Sequence, residues 1–274
     1  MNPEALPYTL LILLAEFTIG CLWLLWFTDL RGAVISSFVR FSAAMCALMA
    51  VFTLIVARQM DVPSIVDGYP LNTAYVGPTR VALAVLLGLS VPYAIATLVA
   101  PRGVALVLGG VASLAGLVAL GIMAQVFAPP VWGYAGIFAS LVVGALAVGG
   151  VSMGMILGHW YLVTPRLPEQ PLREVTVLLM VALALQLVIL LPNVALPHDH
   201  IPTSTEITLG LSPFFWMRIA GGIAFPLVLT YMAYDSSSMR AMQSATGLLY
   251  LAMALVLSGE VLAKALMFVT GVPG

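Results

Sequence analysis

Four ionisable residues lie inside stretches that are otherwise apolar enough to cross a bilayer, and their types and spacing suit them to chemistry. Glu260 and Lys264 are four residues apart in the last stretch, so they lie on one face of a helix in the favourable acid-first order. Arg218 lies just inside the seventh stretch and Glu16 inside the first. Ionisable groups at such depth are costly, and proteins usually keep them for a pathway, a ligand or a partner charge.

These residues are predicted to share one half of the bilayer when the helices are laid out at about 1.5 Å of rise per residue. The first and seventh stretches enter from the same surface, which places Glu16 roughly 13 Å and Arg218 roughly 8 Å below it. The last stretch runs back toward that surface, so Glu260 and Lys264 lie in its closing half. We therefore expect the four residues to converge on one polar site, with the loop residue His198 above it.

Two interpretations of this site are open from the residues alone. In the first, Glu260–Lys264 and Glu16–Arg218 are ion pairs that lock helices together, or the cations extend to the interface. In the second, the site binds the head group of a lipophilic ligand. A quinone suits it, because donors hold the carbonyls, a carboxylate exchanges the proton and the apolar helices accept the tail. Glu16 and Glu260 are then the catalytic acids, and Arg218, Lys264 and His198 bind the head group.

Two further functions remain possible. A proton-coupled secondary transporter would also use buried charges, and it predicts internal repeats. The chain offers only a faint repeat of this kind, with acids in the first and last stretches and arginines in the second and seventh. A non-catalytic scaffold or assembly subunit would need nothing beyond the ion pairs.

The amino-acid composition indicates that the chain lies in a membrane. Its 274 residues are 62% hydrophobic and 8% charged, whereas soluble domains carry about 25% charged residues. The sequence therefore predicts an all-α, multi-pass protein of the cytoplasmic (inner) membrane, a single polytopic domain over residues 1–274 with about eight transmembrane helices. The predicted spans are approximately 7–28, 33–57, 80–100, 103–126, 134–162, 174–196, 213–234 and 241–270.

Basic residues in the connections predict the orientation of the bundle. Five arginines lie in the connections between spans 1 and 2, 3 and 4, 5 and 6, and 7 and 8. On the other side only two arginines are found, and both flank the connection between spans 2 and 3. The positive-inside rule places the side with five arginines in the cytoplasm and both termini outside. The five are Arg31, Arg102, Arg166, Arg173 and Arg240, and the two are Arg58 and Arg80.

Several binding classes have no support in the sequence. A net charge of −1 argues against nucleic acid as a partner. Three histidines and two cysteines form no metal-ligand pattern. Bis-histidine haem needs inward-facing histidine pairs, and the predicted spans contain one histidine, His159. We therefore expect no intrinsic haem or metal.

The last stretch resembles the closing helix of the NrfD/DmsC/PsrC-type membrane anchors, in which a Gly-Glu pair is followed by a basic residue and an aromatic residue. The matching residues here are Gly259, Glu260, Lys264, Leu266, Phe268 and the sequence Thr-Gly-Val-Pro from 270. The first stretch, which opens with Leu-Pro and carries Glu16 and Gly20, is similar to the first helix of these anchors. The eight-span plan also agrees.

The resemblance implies a non-autonomous subunit of a quinone-linked oxidoreductase. Such anchors handle menaquinone or ubiquinone as a bound substrate and contact iron–sulfur, molybdopterin or cytochrome subunits on the outer face. Dimethyl-sulfoxide and polysulfide reductases are examples of such complexes. The chain departs from the pattern at Lys264, where arginine is expected, and at Ala263, where glycine is common. The histidine expected among the early helices is missing.

Overall fold

The computed structural model describes residues 3–66, 68–128, 133–164, 166–191 and 212–272. In these ranges eight helices are long and apolar enough to cross a membrane, which confirms the predicted all-α polytopic bundle. The helices are α1 (Leu6–Arg31), α2 (Ser36–Gln59), α3 (Val76–Val99), α4 (Arg102–Val126), α5 (Gly133–Val163), α6 (Gln170–Leu190), α7 (Pro213–Ser238) and α8 (Met242–Thr270).

Local sequence explains where the helices begin and end. Gly32 and Gly271 follow α1 and α8 with φ of 73° and 70°, a left-handed conformation that glycine adopts without a steric penalty. The connection between α3 and α4 is very short, as predicted, because Pro101 ends one helix and begins the next. Helix α3 begins four residues earlier than predicted, after a 3₁₀ turn (Thr73–Tyr75) that leads directly into it.

Helix α1 lies at the centre of the bundle and contacts α2, α4, α5 and α8. Its closest approach is to α5, where Gly20 and Gly149 meet. A Cβ on Gly149 would lie 2.2 Å from the carbonyl carbon of Gly20, so any larger residue would force the two backbones apart. Small residues thus allow direct backbone contact between membrane helices, and this contact fixes the position of the α1 side chains.

The start of α1 and the end of α8 lie at one end of the bundle, which we call the terminal end. The rings of Tyr8, near the start of α1, and Phe268, near the end of α8, are 6.1 Å apart. A short hairpin of β1 (Ile65–Val66) and β2 (Tyr69–Pro70) lies in the connection between α2 and α3 at the same end. Which side of the membrane this end faces stays a prediction.

The hairpin packs over the ends of α4 and α8 and covers them. Tyr69 is fully buried, its ring centroid is 5.1 Å from that of Phe268, and its hydroxyl donates to the carbonyl of Phe127 at 2.6 Å. Burial raises the pKa of the Tyr69 hydroxyl, so it stays protonated as a donor. Tyr8 donates to the carbonyl of Asp61 at 2.8 Å. We call Tyr8, Tyr69, Phe127 and Phe268 the aromatic cap.

Candidate functional site

The structure brings together in one buried cluster the four charged residues that the sequence singled out. Glu16 comes from α1, Arg218 from α7, and Glu260 and Lys264 from α8, and none is more than 1% exposed. Gln186 of α6, 3% exposed, completes the group. We call these five residues the polar cluster. Their formal charges are two negative and two positive, so they cancel.

Glu260 is the centre of the polar cluster. Its Oε1 accepts hydrogen bonds from Arg218 Nη2 at 3.0 Å and from Gln186 Nε2. Its Oε2 accepts from Lys264 Nζ at 2.9 Å. Three side chains from three helices therefore converge on one carboxylate. Charge-assisted hydrogen bonds of this kind are stronger than neutral ones, especially where water is excluded.

The ion pairs differ in part from those that spacing suggested. Glu260–Lys264 is present, but Glu16 pairs with Lys264, whose Nζ is 2.8 Å from Glu16 Oε1. The suggested Glu16–Arg218 pair is wrong, because Arg218 pairs with Glu260. Lys264 lies one turn beyond Glu260 on the same face of α8, which places its ammonium group between the two carboxylates.

Glu16 is the least satisfied member of the polar cluster. Its Oε1 lies 2.8 Å from Lys264 Nζ in an ion pair, and among the described residues it receives no further hydrogen-bond donor at either carboxylate oxygen. Its carboxylate fits against Gly144 of α5, where a Cβ would lie 2.5 Å from Oε1. Gln186 Oε1 and Arg218 Nε also lack partners. Buried polar atoms are rarely left unsatisfied, so the cluster has capacity to bind a proton or a polar group.

An irregularity in α7 positions Arg218. Residues Ala220–Ala224 form a π-helical turn, a feature that often marks functional sites. Pro226 has no N–H to donate to the carbonyl of Gly222, four residues earlier. That carbonyl accepts from Arg218 Nη1 at 3.4 Å. The proline therefore leaves this carbonyl without its α-helical donor, and the carbonyl helps to hold the guanidinium.

Close backbone contact brings Arg218 to its partner. Gly222 of α7 and Gly259 of α8 face each other, and a Cβ on Gly259 would lie 2.5 Å from the Cα of Gly222. The same Cβ would lie 2.9 Å from Arg218 Nη1. Glycine at both positions thus lets the guanidinium pass between the helices to Glu260.

The aromatic cap lies directly beyond the polar cluster, toward the terminal end. Phe268 follows Lys264 by four residues and Tyr8 precedes Glu16 by eight, so each shares a helix face with a cluster residue. The cap and the surrounding helices leave the cluster almost without solvent contact. Among the described residues, the aromatic cap therefore lies between the terminal end and the polar cluster.

Two residues of this site were not predicted from the sequence. A third, which was predicted, lies outside the part of the chain that the structure describes. Gln186 had a signal, since it is a lone amide in the apolar sixth stretch. Gly144 had none, because its role depends on how α5 packs against α1. His198 lies outside the described residues, so its place above the cluster stays a prediction.

Metal binding has no geometric support in the described ranges, which contain no group of three or more histidine, cysteine, aspartate or glutamate residues able to hold a metal ion. No protein-family model and no curated protein matches the chain.

Proposed function

We propose that the protein is the quinone-interacting membrane anchor of a respiratory oxidoreductase complex. It would exchange electrons and protons between a quinone and a partner subunit that carries iron–sulfur, molybdopterin or cytochrome centres. The observation that supports this best is the polar cluster, in which two carboxylates and two cations are buried together in an apolar bundle. The resemblance of the last helix to the NrfD/DmsC/PsrC-type anchors agrees with it.

The chemistry of a quinone matches the groups in the cluster. Arg218 and Lys264 are donors that can hold quinone oxygens and stabilise negative charge as the ring is reduced. Glu16 has one cationic partner, Lys264, whereas Glu260 accepts three hydrogen bonds, so Glu16 is the carboxylate better placed to take up or release the proton. Glu260 would hold both cations in position. Electrons would pass to the partner subunit.

A purely structural role explains the cluster less well. Burying an ion pair costs desolvation energy, and well-packed apolar residues often stabilise a protein as much or more. The eight helices already pack through apolar contacts and glycines.

Access to the cluster would require the aromatic cap to move. Two hydrogen bonds, from Tyr69 to Phe127 and from Tyr8 to Asp61, attach the loop to the helix ends. Their loss would open a route between the terminal end and Lys264. The bundle surface beside the cluster is apolar and suits an isoprenoid tail.

A proton-coupled secondary transporter is the second candidate. The nearly complete enclosure of the cluster and the π-helical turn at Ala220–Ala224 favour it, because transporters often place ion sites where a membrane helix is interrupted. This function predicts a stable protein without redox partners, and proton uptake coupled to a solute.

The deciding experiment is affinity purification in mild detergent, followed by mass spectrometry of co-purifying proteins and bound quinone. We expect an iron–sulfur, molybdopterin or cytochrome subunit together with menaquinone or ubiquinone. Within that complex, Glu260→Gln should slow quinol turnover by at least about tenfold, and Arg240→Gln, at the opposite end, should not. A stable protein that carries neither redox subunit nor quinone would overturn the proposal and direct attention to transport assays.

A further inference from the structure

Two arginines and an apolar groove meet at the terminal end of the bundle, on a surface separate from the polar cluster. Arg58, near the end of α2, and Arg80, near the start of α3, line one cavity of about 340 Å³ together with Val81 and Val85. The same two valines line a larger groove of about 800 Å³ between α3 and α4. Because the two cavities share Val81 and Val85, the basic pair lies next to the groove, on the side that we call its mouth.

The two arginines are held differently. Arg80 is fixed, because its Nε donates to the carbonyl of Ala57 at 2.8 Å and its Nη2 to that of Met60 at 2.6 Å. Arg58 is exposed. In the ion pairs between described residues, neither arginine takes part. The mouth of the groove thus carries positive charge that those pairs leave uncompensated.

The groove itself is apolar and open to the surroundings of the bundle. Its walls are aliphatic side chains of α3 and α4, and several are half exposed or more, including Val81 at 63%, Val85 at 50% and Leu114 at 62%. In a membrane this surface faces acyl chains. Gly88 leaves open space on α3, since a Cβ there would meet no atom within 4 Å.

We propose that this surface binds an anionic glycerophospholipid, with its phosphate between Arg58 and Arg80 and an acyl chain in the groove between α3 and α4. Charge complementarity at the mouth and an apolar continuation below it match the two parts of such a lipid. Basic sites beside membrane helices commonly bind anionic head groups. The exposed guanidinium of Arg58 offers a planar fork that suits phosphate, and Arg80, whose Nε and Nη2 already donate to carbonyls, adds positive charge beside it. The proposal is independent of the quinone function.

Native mass spectrometry of the purified protein tests this directly, with phosphatidylglycerol and phosphatidylcholine of identical acyl chains as probes. We expect the wild type to retain phosphatidylglycerol in preference. Arg58→Gln should weaken that retention about fivefold, the change expected for one charge near a head group. Val85→Trp should reduce retention of both lipids by filling the groove, and Val81→Trp provides a second test if Val85→Trp does not fold.

Two matched controls keep the experiment specific. Arg166→Gln removes an equal charge from an exposed site elsewhere, and Val181→Trp adds the same ring to α6 at a valine that is also 50% exposed. Neither should change retention. Equal losses in Arg58→Gln and Arg166→Gln, or in Val85→Trp and Val181→Trp, would overturn the proposal, since binding would then be non-specific. So would a co-purifying protein that cross-links to Val85 in place of lipid.

Discussion

The molecule places its ion pairs in two contrasting settings. In the polar cluster, Glu16, Arg218, Glu260 and Lys264 are at most 1% exposed and share partners across three helices. At the opposite end, the pairs are separate, and their arginine side chains are 52–60% exposed. These outer pairs are Arg31–Glu174, Arg102–Asp29 and Arg240–Glu169.

The contrast shows that the contribution of an ion pair to stability depends on how deeply the pair is buried. In an exposed pair both charged groups are hydrated whether or not they are paired, so the pair contributes little to stability. Buried charges depend on every partner, because an unpaired charge has no water to replace the lost contact. The Arg31–Glu174 and Arg240–Glu169 pairs should therefore tolerate change, whereas the polar cluster should not.

The largest effect is expected from Glu260→Ala. This change removes the carboxylate shared by Arg218 and Lys264 and leaves both cations buried with too few partners. The free energy of unfolding should fall by about 3–5 kcal/mol, measured by denaturation in detergent micelles. Glu169→Ala, in an exposed pair, is the matched control. Similar losses in the two variants would contradict the contrast between the settings.

Gly144→Ala should have the next largest effect. The added Cβ would lie 2.5 Å from Glu16 Oε1 and would push the carboxylate from its place beside Lys264. Overpacking of this kind destabilises by about 1–3 kcal/mol, which thermal unfolding would detect. Gly88→Ala, where the added Cβ meets nothing within 4 Å, should stabilise slightly through helix propensity. Destabilisation by Gly88→Ala of the same size would show that the effect does not come from Glu16.

Tyr69→Phe tests the aromatic cap. It removes the hydrogen bond to the carbonyl of Phe127 and leaves that buried oxygen without its donor. We expect a loss of about 1 kcal/mol, together with faster hydrogen exchange in residues 64–71. Tyr250→Phe, at a half-exposed site on α8, should change neither quantity. Unchanged exchange in Tyr69→Phe would mean that the hydroxyl does not secure the hairpin.

The smallest effect concerns the exposed Glu169–Arg240 pair. The hydrogen bonds from Arg240 lower the pKa of Glu169 below its ordinary value of 4.5. Since the folded-state pKa is depressed, the stabilisation is present above pH 4.5 and is lost as pH falls through the folded pKa. Comparing the melting temperatures of wild type and Glu169→Gln across acidic pH should show a small difference near neutrality that disappears in acid. A difference that grows in acid would contradict this sign.

Sequence reasoning captured features that depend on local spacing and missed those that depend on packing. Hydropathy was sufficient for the eight helices, and the depth of each charge predicted that Glu16 would meet the charges of α7 and α8. The ion pairing within the polar cluster could not be predicted from the sequence. It depends on how the Lys264 side chain extends from α8 to contact both Glu260 and Glu16. The β1–β2 hairpin over Phe268 was not predicted either, since it is stabilised by contacts with helix ends that are distant in sequence.

We propose that the polar cluster binds a quinone head group. The most direct measurement is the quinone content of wild-type protein, Glu260→Gln and Arg240→Gln, each purified in the same mild detergent and shown to be folded. We predict bound quinone in the wild type and in Arg240→Gln, and at least about tenfold less in Glu260→Gln. Equal quinone content in all three, or none in the wild type, would contradict the claim.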